Sequence, residues 1–65
     1  MKKYYDTTHI VYIYSEQLYG TVEKLGAWAS TVKYNKHGIE YTDLMENDEF
    51  TIVDEIVFTH IEESN

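Results

Sequence analysis

Residues 30–44 read STVKY, NKHG, IEYTDL: two runs rich in Val, Ile, Thr and Tyr around a four-residue break. Such side chains suit a pleated, half-buried surface. Asn35 favours the start of a turn, and Gly38 supplies a positive φ without steric cost. The stretch predicts a β-hairpin whose loop closes on glycine. The remaining strands are expected to assemble around it.

Residues 9–14, HIVYIY, are β-branched or aromatic almost throughout and predict a strand. Val11 and Ile13 would share the core face, with Ile10, Tyr12 and Tyr14 on the other. Residues 15–29 admit two readings. As a helix they would use Ser15 as N-cap and bury a stripe of Leu18, Val22, Leu25 and Ala29. Gly20 and Gly26 oppose that, each costing about 1 kcal/mol inside a helix. The extended reading places a loop over 15–19 and a strand over 20–25, with Gly20 at a bend or bulge where backbones approach closely. We take the extended reading and keep the helix as its alternative.

In the hairpin, whose first strand is expected over 28–34, Val32 and Tyr34 share one face and Thr31 and Lys33 the other. On the return strand Leu44 falls out of phase with Ile39 and Tyr41, which a bulge near Thr42 and Asp43 would resolve. Residues 45–50, MENDEF, predict a tight turn that folds Phe50 onto the core. Residues 51–62 predict strand, interrupted at Asp54 and Glu55. Residues 1–7 are expected to be a loose lead-in, and 62–65 a fraying tail. The expectation is one all-β domain over 1–65 with its core at about 9–61. The alternative is an α+β domain with one helix at about 16–29 on a sheet.

A 65-residue chain buries only about 60% of its unfolded surface, so its core supplies a net stability of no more than about 3–5 kcal/mol. With no cysteine, disulfides and thiolate metal sites are excluded. Seven Tyr, two Phe and one Trp supply the buried area instead. The same lack of cysteine fits a reducing compartment. Met1, Lys2 and Lys3 have the charge of a signal-peptide start, but Tyr4, Tyr5 and Asp6 follow in place of an apolar run. No apolar run approaches a membrane span, so a cytoplasmic, soluble protein is expected.

The net charge of −7 is unevenly spread. Residues 1–38 carry five lysines against three carboxylates, whereas 39–65 carry nine carboxylates and no Lys or Arg. Direct nucleic-acid binding is not expected, since neutralising phosphates needs clustered cations. Glu40, Asp43, Glu46, Asp48, Glu49, Asp54 and Glu55 form a candidate acidic patch. It would serve solubility, or mimic nucleic acid toward a DNA-binding protein.

Five segments carry a resemblance: Ile10-Val11-Tyr12-Ile13, Gly20-Thr21-Val22, Ser30-Thr31-Val32-Lys33-Tyr34, Gly38-Ile39-Glu40-Tyr41 and Glu46-Asn47-Asp48-Glu49-Phe50. In that order they resemble the SH3-like small β-barrels, especially short proteins of Gram-positive bacteria and their phages. The resemblance spans about residues 9–53 and implies a five-stranded barrel. Residues beyond Asp54 exceed the minimal barrel. The Ala-Leu-Tyr-Asp-Tyr opening and paired tryptophans of proline-binding members are missing, so proline-motif recognition is not implied. Members of the fold bind peptides, nucleic acid or other chains, and the fold alone does not choose among these.

No nucleophile elbow, phosphate loop or cofactor fingerprint is present, and no catalytic residue is assigned. His9, His37 and His60 lack metal-ligand spacing, so neither metal nor cofactor is expected. The tyrosine surplus remains. Tyr12, Tyr14, Tyr19, Trp28 and Tyr41 are the candidate partner-binding residues, because rigid amphipathic rings are favoured at protein interfaces. The expected function is a non-enzymatic protein-interaction module. The alternatives are the acidic mimic and a structural homodimer paired through the strand of residues 51–61.

Overall fold

The computed structural model describes residues 2–62, and side chains from 3 to 61. Five strands form: β1 (Lys2–Ile13), β2 (Leu18–Val22), β3 (Ala29–Lys36), β4 (Ile39–Glu46) and β5 (Phe50–Glu62). They make one antiparallel sheet in the order β4-β3-β2-β1-β5, with no helix among the described residues. The all-β expectation holds, and the helical alternative at 16–29 does not. A turn over 14–17, closed by the Gln17 N–H donating to the Ile13 carbonyl at 2.8 Å, leads into β2. Residues 23–28 are then loop. The strand therefore starts and stops two or three residues earlier than its 20–25 reading.

Alternation along each strand decides which side chains are buried. Val11 and Ile13 of β1, Val22 of β2, Val32 and Tyr34 of β3, Met45 of β4 and Phe50 of β5 form the core, with Leu18 packed against it. No second layer covers these residues, yet Val11, Ile13, Val22 and Val32 are wholly shielded from solvent. The sheet must therefore curl over its own inner face. It does not close, because β4 and β5 are its two edges. The turn over 47–49 carries the chain between those edges, and the Tyr14 N–H donates to the Glu49 carbonyl at 3.1 Å.

The β3–β4 hairpin is tighter than NKHG suggested. Lys36 pairs with Ile39, so only His37 and Gly38 form the loop. Both have positive φ, 55° and 78°, as a two-residue type I′ turn requires. Asn35 Oδ1 accepts the Gly38 N–H at 3.1 Å. The bulge expected near Thr42 and Asp43 is absent, since pairing runs unbroken from Ala29↔Glu46 to Lys36↔Ile39. Leu44 simply faces outward, 75% exposed, and Asp43 takes the inward position.

The bulge lies on β5 instead. Ile10 pairs with Asp54 and Val11 with Ile52, leaving Val53 as the extra residue. The interruption expected at Asp54 and Glu55 falls one residue earlier, since those two pair regularly with Ile10 and His9, and β5 continues through the bulge.

Of residues 1–7, expected as a loose lead-in, residue 1 lies outside the described residues and Lys2–Thr7 extend β1, pairing with Val57–Glu62. The fraying expected over 62–65 falls, from residue 63, outside the described residues. β1 and β5 thus run on together past the core as a two-stranded ribbon. Strands of this length reach roughly 40 Å, and the molecule measures 48 × 28 × 18 Å.

Candidate interaction surface

The period of two that buries Val11 and Ile13 sends Tyr12 and Tyr14 to the outer face. Tyr12 pairs with Tyr19 of β2, so a third ring joins them. The Tyr12 and Tyr14 centroids are 5.9 Å apart and those of Tyr12 and Tyr19 5.2 Å, both edge-to-face. Such contacts hold the rings on rigid strands at little conformational cost. Tyr14 is 52% and Tyr19 65% exposed.

The other two candidate aromatics lie elsewhere. Tyr41 pairs with Tyr34 on the inner face, their rings stacked at 5.4 Å. Trp28, 86% exposed, precedes the first residue of β3, whereas Gly20, next to Tyr19, pairs near the far end of that strand. The five residues thus form one cluster of three and two separate positions.

Trp28 stands on a fixed loop. The Asn47 N–H donates to the Trp28 carbonyl at 2.8 Å. Buried Ser30 accepts the Gly26 N–H at 3.1 Å and donates to Asn47 Oδ1 at 2.8 Å. Asn47 Nδ2 returns a hydrogen bond to the Gly26 carbonyl at 2.8 Å. This ring of bonds joins the 23–28 loop to the 47–49 turn. Between them and β5 runs an open groove of ≈ 450 Å³ lined by Leu25, Gly26, Asn47, Phe50, Thr51 and Ile52. The groove pairs no nucleophile with a base.

The seven candidate acids do not share a ridge. Glu40 and Glu46 face outward on β4, and Asp43 faces inward. Asp48 and Glu49 lie in the turn, where Glu49 Oε2 accepts the Glu46 N–H at 2.7 Å. Asp54 shares the outer face with Ile10, and Glu55 shares the inner face with His9. Glu55 Oε1 is 3.5 Å from His9 Nδ1. His60 Nε2 is 2.9 Å from Asp6 Oδ2, its ring stacked on Tyr4 at 4.9 Å. His37 occupies the hairpin turn. Among the described residues no three metal-ligating side chains converge.

Tyr34 donates its hydroxyl to Asp43 Oδ2 at 2.7 Å. That bond, then removal from water and the negative charge of Asp43, pushes its pKa up from 10.0 to about 12. A folded-state pKa above the unfolded value favours folding below pH 10 and loses that contribution as pH rises through 12. Lys36 is shifted upward by its 2.8 Å hydrogen bond to Glu16, and its contribution likewise fades at alkaline pH. An absorbance titration of the phenols is expected to show one tyrosine ionising near pH 12. Asp43→Asn should bring that tyrosine down and flatten the alkaline fall in stability. If the variant titrates like the parent, the Tyr34–Asp43 bond is not the cause.

Sequence reasoning missed the ribbon. Tyr4, Tyr5, Ile56, Val57, Phe58 and Ile61 are all exposed there. Lys3 Nζ sits 5.7 Å from the Tyr5 ring centroid. The available signal was weak: residues 2–8, KKYYDTT, hold two Tyr and two Thr but no apolar–polar alternation, and the partner strand lies about fifty residues away.

No protein-family model matches the chain, and neither a curated protein nor a solved structure is similar to it. The described residues contain no helix long and apolar enough to cross a membrane.

Proposed function

We propose that the chain is a non-enzymatic protein-interaction module that holds its partner through Tyr12, Tyr14 and Tyr19. The observation that carries this reading is the three-ring cluster at the β1–β2 turn, with half-buried Tyr12 braced edge-to-face by Tyr14 and Tyr19, both of them exposed. Tyrosines so placed offer large contact area with few rotamers to freeze, which is why they dominate binding hot spots. The strand order β5-β1-β2-β3-β4 also supports the likeness to SH3-like barrels. A cysteine-free sequence supports a cytoplasmic setting. The scatter of the seven acids over both faces and a turn argues against the nucleic-acid mimic, which needs one ridge of charge.

The test starts with affinity capture of the partner from the native cell. Tyr14→Ala and Tyr19→Ala should each weaken that partner's binding by about 2 kcal/mol, or about 30-fold in Kd. Trp28→Ala serves as the control from a separate position. Both tyrosine variants should keep the parent's circular dichroism. Undiminished binding by folded Tyr14→Ala and Tyr19→Ala proteins would remove this reading.

A further inference from the structure

The ribbon carries a second surface, independent of the tyrosine cluster. An isolated two-stranded ribbon is marginal in water, and three or more strands are needed for independent stability. Residues 2–8 and 56–62 form such a ribbon, beyond the reach of the core. Its second strand, β5, is also an edge of the sheet, so its outer backbone groups have no strand partner among the described residues. The edge over residues 56–61, IVFTHI, has no Asp, Glu, Lys, Arg or proline. Natural edges are usually blunted by charges, prolines or bulges. Here the bulge lies at Val53, Asp54 Oδ1 accepts the Glu55 N–H at 2.8 Å, and the next acid of β5 is Glu62. The edge is guarded up to residue 55 and unguarded from 56 to 61.

We propose that this edge docks a second copy of the same chain. β5 pairs antiparallel with the partner's β5 about a two-fold axis through Val57. The ribbon then becomes the middle of a four-stranded region, β1-β5 joined to the partner's β5-β1, in one continuous sheet.

Charge and face decide the register. A two-fold axis perpendicular to a sheet sets residues of like face opposite each other, so it must pass through a residue position. On Val57, the axis sets Val57 against the partner's Val57, Ile56 against the partner's Phe58 and Asp54 against the partner's His60. Glu55 then meets the partner's Thr59. Apolar residues meet apolar ones, and Asp54 meets the one imidazole on the edge, His60, whose Nε2 also lies 2.9 Å from Asp6 of its own chain. Moving the axis to Ile56 would set Asp54 against the partner's Phe58 and Glu55 against the partner's Val57. Moving it to Phe58 would set Asp54 in register with Glu62, two acids. Like charges directly opposite are destabilising, so Val57 is the axis the sequence of β5 selects.

Val57 is 59% exposed in the single chain, so substitution there should spare the fold. In sedimentation velocity the parent should run at twice its 7.7 kDa. Val57→Lys and Val57→Glu should each run as monomers, because each sets like charges across the axis. Mixed together, the two variants should recover the dimer, since Lys then faces Glu. The chain has no cysteine of its own, so Val57→Cys supplies a single thiol. Opposed residues in antiparallel strands lie about 4.5–5.5 Å apart at Cα, within disulfide range, so mild oxidation should crosslink it. Tyr19→Ala should stay dimeric, which separates loss of this interface from loss of the partner surface. A parent chain monomeric at high concentration overturns the proposal. So does a dimer that survives Val57→Lys, a lysine–glutamate mixture that remains monomeric, or a Val57→Cys dimer that does not crosslink.

Discussion

Phe50→Ala is expected to leave the chain unfolded at 25 °C. Phe50 opens β5, pairs with Ile13 and is only 5% exposed. It is the sole large ring among the seven buried hydrophobic residues apart from Tyr34, and it brings the last strand onto the inner face. Truncating a buried phenylalanine to alanine costs about 3–5 kcal/mol, the lost transfer term plus the cavity left behind. A chain of this size has about 3–5 kcal/mol of net stability to lose. A single-layer sheet has no second layer that could collapse into the void. Far-ultraviolet circular dichroism should lose its strand signature, and amide protection in β1 should disappear. Phe58→Ala is the matched control: it removes a ring of the same size from the exposed ribbon and should leave the core folded. A Phe50→Ala protein melting close to the parent would show that the core is not organised around this contact.

Gly20→Ala comes next in size. Gly20 lies mid-strand in β2, paired with Val11 on one side and Tyr34 on the other. A Cβ there would stand 2.7 Å from the Lys33 carbonyl oxygen, and 3.1 Å from both Ile13 Cδ1 and Val32 Cγ1. Two of those neighbours can adjust a little, but the carbonyl belongs to the β2–β3 ladder and cannot move without weakening it. Overpacking of this kind costs about 1–3 kcal/mol, which in a domain this small lowers Tm by about 5–20 °C. Thermal denaturation measures it directly. An unchanged or raised Tm would mean that the strands separate enough to admit a methyl group, contrary to the close approach seen here.

These two positions also show how far local reading reaches. Phe50 was legible as the residue that folds back after a polar turn, because MENDEF is polar between an apolar residue at each end, Met45 and Phe50. Gly20 was legible as a point of close approach, because a glycine inside a β-branched run serves little else. The division of β1 into Val11 and Ile13 inside, and Ile10, Tyr12 and Tyr14 outside, follows from alternation alone. Leu44 misled because an apolar residue was taken to require an inward position. Asp43 holds that position instead, through a bond to Tyr34 that no local pattern announces.

The candidate site was legible in part for the same reason. Tyr12 and Tyr14 were grouped by periodicity, and they remain in contact although β1 ends at Ile13 and Tyr14 opens the turn, but Tyr19 joins them only through the β1–β2 register. Tyr41 leaves the group because β4 turns it to the inner face beside Tyr34, and Trp28 because it enters the opposite end of β3.

Side-chain type and the period of two were enough to establish extended backbone in most of the chain, and the side of each strand that avoids water. Which strands meet, where the bulge falls, and that residues 2–8 are strand at all were settled by contacts across some fifty residues. Alternation is a property of neighbours along the chain, whereas pairing depends on which distant edge remains free. For that reason the sequence could offer residues 51–61 as a pairing edge, but only the strand order places β5 at the edge of the sheet.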